Sequence, residues 1–164
     1  MKKIYFIVLL LITTSVHGVP LVDSQYKVGE ARFKYMFWKI YDSELYTDNK
    51  QFESLDQEVT LSIEYQRNIP KYRIVDATVG QWEELNYAPE KIEKWKETIN
   101  AIIPEIAKND NLSFHKNNNG IGMFYYNERL IGKIESKEFS EAFLSIWLSE
   151  QTTQPKLRER LINP

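Results

Sequence analysis

The sequence predicts an α+β fold, with an antiparallel sheet and helices packed on one of its faces. Apolar and polar residues alternate in two separate parts of the chain, residues 28–65 and 112–134, and this alternation is typical of half-buried strands. Apolar residues recur every three or four positions in the segments that follow, as on amphipathic helices. Strands and helices therefore come in blocks, which favours α+β over a doubly wound parallel sheet.

Residues 1–18 have the three parts of a cleavable signal peptide. Two lysines follow Met1, an apolar run covers residues 4–12, and Val16 and Gly18 precede Val19 as a signal-peptidase site requires. The apolar run is too short for a spanning helix, which needs roughly 20 apolar residues. We expect cleavage before Val19 and a mature chain without a membrane span.

The composition fits one exported domain, residues 19–164. The chain has no cysteine, so its core must hold it together without disulfides. Its formal net charge is −2, and it has no basic run, which argues against a nucleic-acid partner. We expect a periplasmic monomer, with secretion as the alternative location.

The first strands come early in the mature chain. Residues 28–37 and 39–46 read as a hairpin, in which Gly29 indicates a bend or a close approach of backbones. Residues 59–65 alternate strictly and form the clearest strand, with one apolar face: Val59, Leu61, Ile63 and Tyr65.

Two helices follow, each opened by a proline. Pro70 begins a segment with an apolar stripe: Tyr72, Val75, Val79, Trp82 and Leu85. Pro89 begins a second segment with a stripe of its own: Ile92, Trp95, Ile99, Ile102, Ile103 and Ile106. Pro104 ends or kinks this helix near Ile103.

A second set of strands returns to the sheet. Residues 112–116 read as a short strand, and residues 123–126 and 129–134 read as a hairpin. Leu130 and Ile134 are expected to share one face of the last strand.

The last helices follow at once. Ser136 is placed to cap a helix, with Glu138 in its first turn, where the helix dipole favours negative charge. Its stripe is very apolar: Phe139, Ala142, Phe143, Ile146 and Trp147, widened by Leu144 and Leu148. Such a helix is expected to lie across the sheet, and Pro155 opens a final short helix.

The search for catalytic chemistry is mostly negative. His115 is the one histidine outside the signal peptide, and with no cysteine in the chain we expect neither a metal site nor a cofactor. On a short strand, His115 is read as a partly exposed surface residue. The aromatic content of 13% indicates either a cleft for an apolar ligand or a bulky core.

Three stretches carry a resemblance to a known family: VGEARFKYMFWKIYDSELYT, GIGMFYYNERLIGKI and SKEFSEAFLSIWLSEQTTQPKLRERL. They resemble the chalcone-isomerase-like superfamily, and within it an exported bacterial branch. The resemblance implies an open-faced β-sandwich, in which a large antiparallel sheet and helices on one face enclose a ligand cleft.

The plant enzymes of this superfamily close a flavanone ring with five polar side chains. By resemblance their arginine matches Arg32, their threonine falls near Met36, and their tyrosine matches Tyr72. Their asparagine falls near Val79, and their late-helix hydroxyl near Ile146. Three of these five positions are apolar here, so we expect no catalytic residues of the plant type and a non-catalytic protein.

Other superfamily members that lack the full set bind fatty acids. The resemblance therefore implies a carrier of a fatty acid or similar amphipathic carboxylate, with its head at Arg32 and its tail under the helix 139–148. The expected ligand-binding residues are Arg32, Met36, Tyr72, Val79, Phe143 and Ile146. A surface ion pair, with Glu30 or a neighbouring strand, is the alternative for Arg32. An isomerase or intramolecular lyase on another substrate, and an accessory protein that docks a partner peptide, are the alternative functions.

Overall fold

A computed structural model describes residues 24–163 as one six-stranded antiparallel sheet with four helices. The strands are β1 (Tyr26–Tyr35), β2 (Trp38–Thr47), β3 (Val59–Tyr65), β4 (Asn111–Lys116), β5 (Gly122–Tyr126) and β6 (Arg129–Ile134). The helices are α1 (Lys71–Glu84), α2 (Pro89–Ile102), α3 (Lys137–Leu148) and α4 (Pro155–Ile162). The expected α+β architecture is therefore confirmed.

The strands pair in the order of the sequence, from β1 at one edge to β6 at the other. Helices α1 and α2 are inserted between β3 and β4, and α3 and α4 follow β6. The four helices lie on one face of the sheet because the buried apolar side chains of the strands point that way. The other face carries charged and polar side chains and is covered by no helix between residues 24 and 163.

One row of helix-facing residues crosses the whole sheet. The register aligns Gly29, Leu45, Leu61, Phe114, Phe124 and Gly132. The four inner members are buried and fill the centre of the core. A glycine stands at each end because a helix comes too close there for a side chain. A Cβ on Gly29 would lie 2.4 Å from the carbonyl oxygen of Leu161 in α4, and one on Gly132 would lie 2.8 Å from Ile102 in α2.

Helix α3 lies across this row, as its composition predicts. Ser136 Oγ accepts a hydrogen bond from the backbone N–H of Phe139 at 3.2 Å, so the predicted cap is confirmed. Phe139 and Phe143 stand over Phe114 and Phe124 with ring centroids 4.7–6.4 Å apart. This aromatic group ties α3 to the middle of the sheet.

The predicted starts of all four helices agree with the structure to within a residue, and β3 and β6 match their predicted bounds. The predicted face of Leu130 is wrong. A register shift between Phe124 and Tyr125 turns Leu130 to the open face, while Ile134 stays on the helix side opposite Gly122. Leu130 is therefore exposed.

The predicted stripe of α1 is partly wrong. Its buried residues are Val75, Thr78 and Trp82, whereas Tyr72 is exposed and Val79 is half-buried. Thr78 is tolerated inside because its hydroxyl donates to the carbonyl of Ile74 at 2.8 Å.

No helix between residues 24 and 163 combines the length and apolar character that crossing a bilayer requires. The expected signal peptide, residues 1–18, lies outside the described part of the chain.

Candidate functional site

A cleft of about 510 Å³ lies between the sheet and helices α1, α2 and α3. Its floor is built by neighbouring strands, because the register aligns Phe33, Tyr41 and Tyr65 in one row and Ile63 and Leu112 in the next. The Phe33 and Tyr41 rings stack at 5.1 Å, and the Tyr41 and Tyr65 rings meet edge to face at 6.0 Å. The volume lies within the range of small-molecule sites, roughly 300–1,000 Å³.

The roof of the cleft comes from one side of each of three helices. The lining residues of these helices are Arg73, Ile74, Ala77, Thr78, Gly80, Gln81 and Glu84 of α1, Ile99 of α2, and Phe143, Ile146 and Trp147 of α3. Apolar side chains dominate in the interior, and the polar ones lie along the rim formed by α1. The walls therefore suit an elongated apolar ligand whose polar end stays at the rim.

The Tyr41 hydroxyl is a hydrogen-bond donor held inside an apolar wall. Trp147 Nε1–H donates to Tyr41 Oη at 3.0 Å, which fixes the phenol and uses its acceptor side. Burial raises the pKa of Tyr41 to about 12, so the phenol keeps its proton at neutral pH. No acceptor for that proton occurs among residues 24–163.

The Tyr65 hydroxyl is uncommitted within the described chain. Burial, with the neighbouring Tyr41, raises the pKa of Tyr65, and no described residue hydrogen-bonds its oxygen. All fully buried side-chain nitrogen and oxygen atoms in this part of the chain have partners. The Tyr65 oxygen therefore opens onto the cleft, where a ligand can accept its proton.

Arg73 supplies a positive charge at the rim. It stands in the first turn of α1, its Nε–H donates to the Tyr72 hydroxyl at 3.2 Å, and it forms no ion pair with the described residues. Glu84, the one acidic lining residue, stands at the other end of α1, about 16 Å along the helix axis. The rim is thus positive at the end where α1 begins and negative at the end where α1 finishes.

Arg32, the expected carboxylate receptor, does not line this cleft. It points to the open face of the sheet, where its Nε and Nη2 bind Asp42 Oδ1 and Oδ2 at 2.5 and 2.8 Å. This bidentate bond, aided by the guanidinium charge, holds the pKa of Asp42 below its usual range. The structure therefore shows the ion pair with a neighbouring strand that was the alternative for Arg32.

The other expected site residues divide into two groups. Phe143 and Ile146 line the cleft. Met36 lies at the tip of the β1–β2 hairpin and Tyr72 is exposed on α1, both outside the cleft, and Val79 packs against the core without lining it. The five plant-type positions, as matched from the sequence, do not come together.

A second depression, about 950 Å³, opens over the β1–β2 edge beside α4. Its walls carry many charges, among them Arg32, Asp42, Glu44, Glu64 and Arg160. It offers no continuous apolar wall, so the smaller cleft is the better site for an amphipathic ligand. Within residues 24–163 no three histidine, aspartate or glutamate side chains gather as a metal site.

The sequence contained signals for the residues that were missed. In β1, Gly29, Ala31 and Phe33 alternate with Glu30, Arg32 and Lys34, which assigns Arg32 to the polar face. In β2 the same alternation assigns Tyr41 to the apolar face with Leu45. Arg73 gives no comparable signal, because the position of a rim residue depends on how α1 crosses the sheet.

Comparisons with known proteins agree with this architecture. The family model for chalcone isomerase-like proteins matches residues 22–163. An uncharacterised protein of Haemophilus influenzae is 22% identical over 135 residues, which cover 82% of this chain and 66% of that protein, just under two thirds of its length.

Among solved structures, the crystal structure of the Arabidopsis thaliana fatty-acid binding protein AtFAP1 superposes with a TM-score of 0.69. The two chains are 12% identical, and the match covers 88% of this chain and 90% of AtFAP1. The sheet order, the helix layer and the family match over nearly all the described residues lead to one conclusion: this chain belongs to the chalcone isomerase-like family.

Proposed function

We propose that this protein binds a fatty acid or a similar amphipathic carboxylate in the cleft between the sheet and α1–α3. One observation carries the proposal: an apolar cleft holds two tyrosine hydroxyls whose protons have no acceptor among the described residues, with Arg73 at its rim. A carboxylate at this end of the cleft accepts from the guanidinium and the phenols, and its tail lies against Ile63 and Leu112.

The arrangement favours carboxylates over neutral ligands for an electrostatic reason. Arg73 forms no ion pair with the described residues, so a carboxylate does not have to displace a competing acid. Glu84 repels a negative head at the far end of the rim, which selects one orientation of the ligand. AtFAP1, a protein of the same fold, is named as a fatty-acid binding protein, and this supports the same class of ligand here.

We further infer that the protein works after export, as a mature chain from Val19 in the periplasm. The basic start, the apolar run and the cleavage site of residues 1–18 support this location.

Titration calorimetry tests the binding proposal with saturated fatty acids of increasing length and the alcohols of matching length. Each methylene buried should add up to about 0.8 kcal/mol, so affinity should rise with length and level off when the cleft is full. Acids should bind more tightly than alcohols.

Two arginine variants place the head group. Arg73→Ala should weaken acid binding by about 1.5 kcal/mol, or about tenfold, the low end for a charged hydrogen bond because Arg73 is exposed. Alcohol binding should change little. Arg32→Ala is the matched control and should leave both affinities unchanged, since Arg32 faces the open side of the sheet.

Two tryptophan variants place the tail. Ala77→Trp puts a large ring into the mouth of the cleft and should abolish binding, whereas Asp76→Trp adds the same ring beside it and should not. Equal affinities for acids and alcohols would show that Arg73 does not bind a head group. Loss of acid binding in Arg32→Ala with none in Arg73→Ala would place the ligand on the other face, and no binding of any chain length would overturn the proposal.

A further inference from the structure

The β1–β2 hairpin ends in four consecutive exposed apolar side chains, here called the aromatic tip: Tyr35, Met36, Phe37 and Trp38. Phe37 is 92% exposed and Met36 is 74% exposed. Only seven large hydrophobic residues between 24 and 163 are exposed, and four of them stand side by side here. Single exposed apolar residues are ordinary, but a contiguous group at a projecting turn indicates contact with something apolar.

The backbone of the tip adds a second observation. Met36 has a φ of 53°, in the left-handed region that asparagine and glycine adopt more easily than methionine. A turn shaped for stability alone would carry Asn or Gly at this position. The sequence instead has methionine at this position, where the left-handed backbone is strained and the exposed side chain gains no packing contacts.

Three positive charges surround the aromatic tip and are called the basic collar: Lys34, Lys39 and Arg67. Lys34 and Lys39 pair directly across the two strands just behind the turn. The guanidinium of Arg67 lies over the Trp38 ring, 4.2 Å from its centroid. None of the three forms an ion pair with the residues described here. Asp42, the acid that Lys39 influences, is already held by Arg32.

We propose that the aromatic tip inserts into the interface of an anionic lipid bilayer, with the basic collar on the phosphates. Tryptophan and tyrosine rings prefer the headgroup region, and Phe37 and Met36 can reach the acyl boundary below it. Cations next to such a wedge are attracted to anionic lipids over short distances. The protein would then bind the membrane at its periphery.

The charge pattern favours a bilayer over a second copy of this chain. Two aromatic tips brought together would also bring their basic collars together, and like charges would oppose the contact. A projecting turn whose neighbouring charges are all positive is complementary to the plane of lipid phosphates.

The tip is part of the same hairpin as the cleft floor, since Phe33, Ile40 and Tyr41 line the cleft. A docked protein would therefore hold one end of the cleft beside the lipid. Membrane docking goes beyond ligand binding and does not depend on it.

Vesicle co-sedimentation tests the proposal with residues 19–164. This part of the chain contains every described strand and helix, and it leaves out the apolar run 4–12, which would bind lipid by itself. The vesicles are phosphatidylcholine alone, or phosphatidylcholine mixed with phosphatidylglycerol. We expect sedimentation with the mixed vesicles, weaker sedimentation with the neutral ones, and release by salt.

Three variants locate the contact. The tip variant, Met36→Asn combined with Phe37→Ser, should weaken vesicle binding by about tenfold or more, because it removes both inserting side chains. This variant should unfold in urea at the same concentration as the wild type or higher, since asparagine tolerates the backbone of position 36. Leu130→Ser removes another exposed large apolar side chain, 55% exposed and at the opposite edge of the sheet from the β1–β2 hairpin, and is the control. Lys34→Gln should lower the affinity for anionic vesicles by about fivefold.

Tryptophan fluorescence gives a site-specific signal. Trp38 is the exposed tryptophan of the described chain, so vesicle binding should shift the emission to shorter wavelength, and Trp38→Phe should remove the shift while sedimentation persists. The proposal fails if the wild type stays in the supernatant with anionic vesicles, or if the tip variant sediments like the wild type. It also fails if Leu130→Ser weakens vesicle binding as much as the tip variant does. A third contrary result would be a wild-type dimer in analytical ultracentrifugation that the tip variant does not form.

Discussion

Replacing Gly29 with alanine should separate α4 from β1 and destabilise the protein. The new methyl carbon would lie 2.4 Å from the Leu161 carbonyl oxygen and 2.5 Å from that of Arg160. Both atoms belong to the backbone and cannot rotate away, so α4 must move by about 1 Å to restore ordinary contact. Overpacking typically costs 1–3 kcal/mol, and we expect about 3 kcal/mol because buried Leu157 and Leu161 move with the helix.

Gly80→Ala is the matched control, with the opposite sign. A Cβ on Gly80 meets nothing within 4 Å, and the residue lies in the interior of α1. Alanine is the better helix former there, so the free energy of unfolding should rise by about 0.5–1 kcal/mol.

Urea unfolding followed by far-ultraviolet circular dichroism measures both changes, with equal slopes as the check for two-state behaviour. A Gly29→Ala protein as stable as the wild type would refute the close approach of α4 to β1. A destabilised Gly80→Ala protein would show that the space beside Gly80 in the cleft is not open.

Four further outcomes are expected. Tyr41→Phe should lose about 1–3 kcal/mol in urea unfolding because an indole N–H loses its acceptor, whereas Tyr65→Phe should be nearly neutral; equal losses would contradict this. Burial lowers the pKa of His115 in the folded protein, so as the pH falls through about 6.5 the unfolded chain binds a proton at His115 before the folded protein does. The free energy of unfolding should therefore decrease below that pH, and His115→Gln should show a smaller decrease between about pH 7 and pH 5. N-terminal sequencing of the exported protein should begin at Val19, and a retained Met1 would contradict cleavage. An absorbance assay of chalcone cyclisation should show no saturable acceleration, since acid–base positioning typically contributes 10²- to 10⁴-fold and the plant-type positions do not assemble.

The course of the chain was predictable because it rests on local patterns. Strict alternation defined β3, prolines marked the starts of α1, α2 and α4, and Ser136 marked the start of α3. These signals act over a few residues, and tertiary packing does not overrule them here.

The faces of several side chains were not predicted, for two reasons. Leu130 turned outward because Ile131 is an extra residue in β6 with no partner in β5, and this bulge changes the face to which Leu130 points. Arg32 was assigned to the cleft by resemblance, although the alternation of its own strand placed it on the polar face.

No pattern in the sequence indicates that Lys116 is buried. Its ammonium is enclosed and donates to the carbonyl oxygens of Asp56 and Gln57 at 3.2 and 3.0 Å. Only the path of the loop before β3 supplies these acceptors, and no local pattern reports that path.

The contact between Gly29 and α4 also determines when the fold is completed during synthesis. Almost the whole described chain separates β1 from α4, so the first hairpin leaves the ribosome long before its covering helix exists. Until then the apolar side of β1 is bare, and strands in that condition associate with other chains. A nascent protein of this design depends on its last elements to protect its first, so truncation before Pro155 should harm solubility more than the small size of α4 suggests.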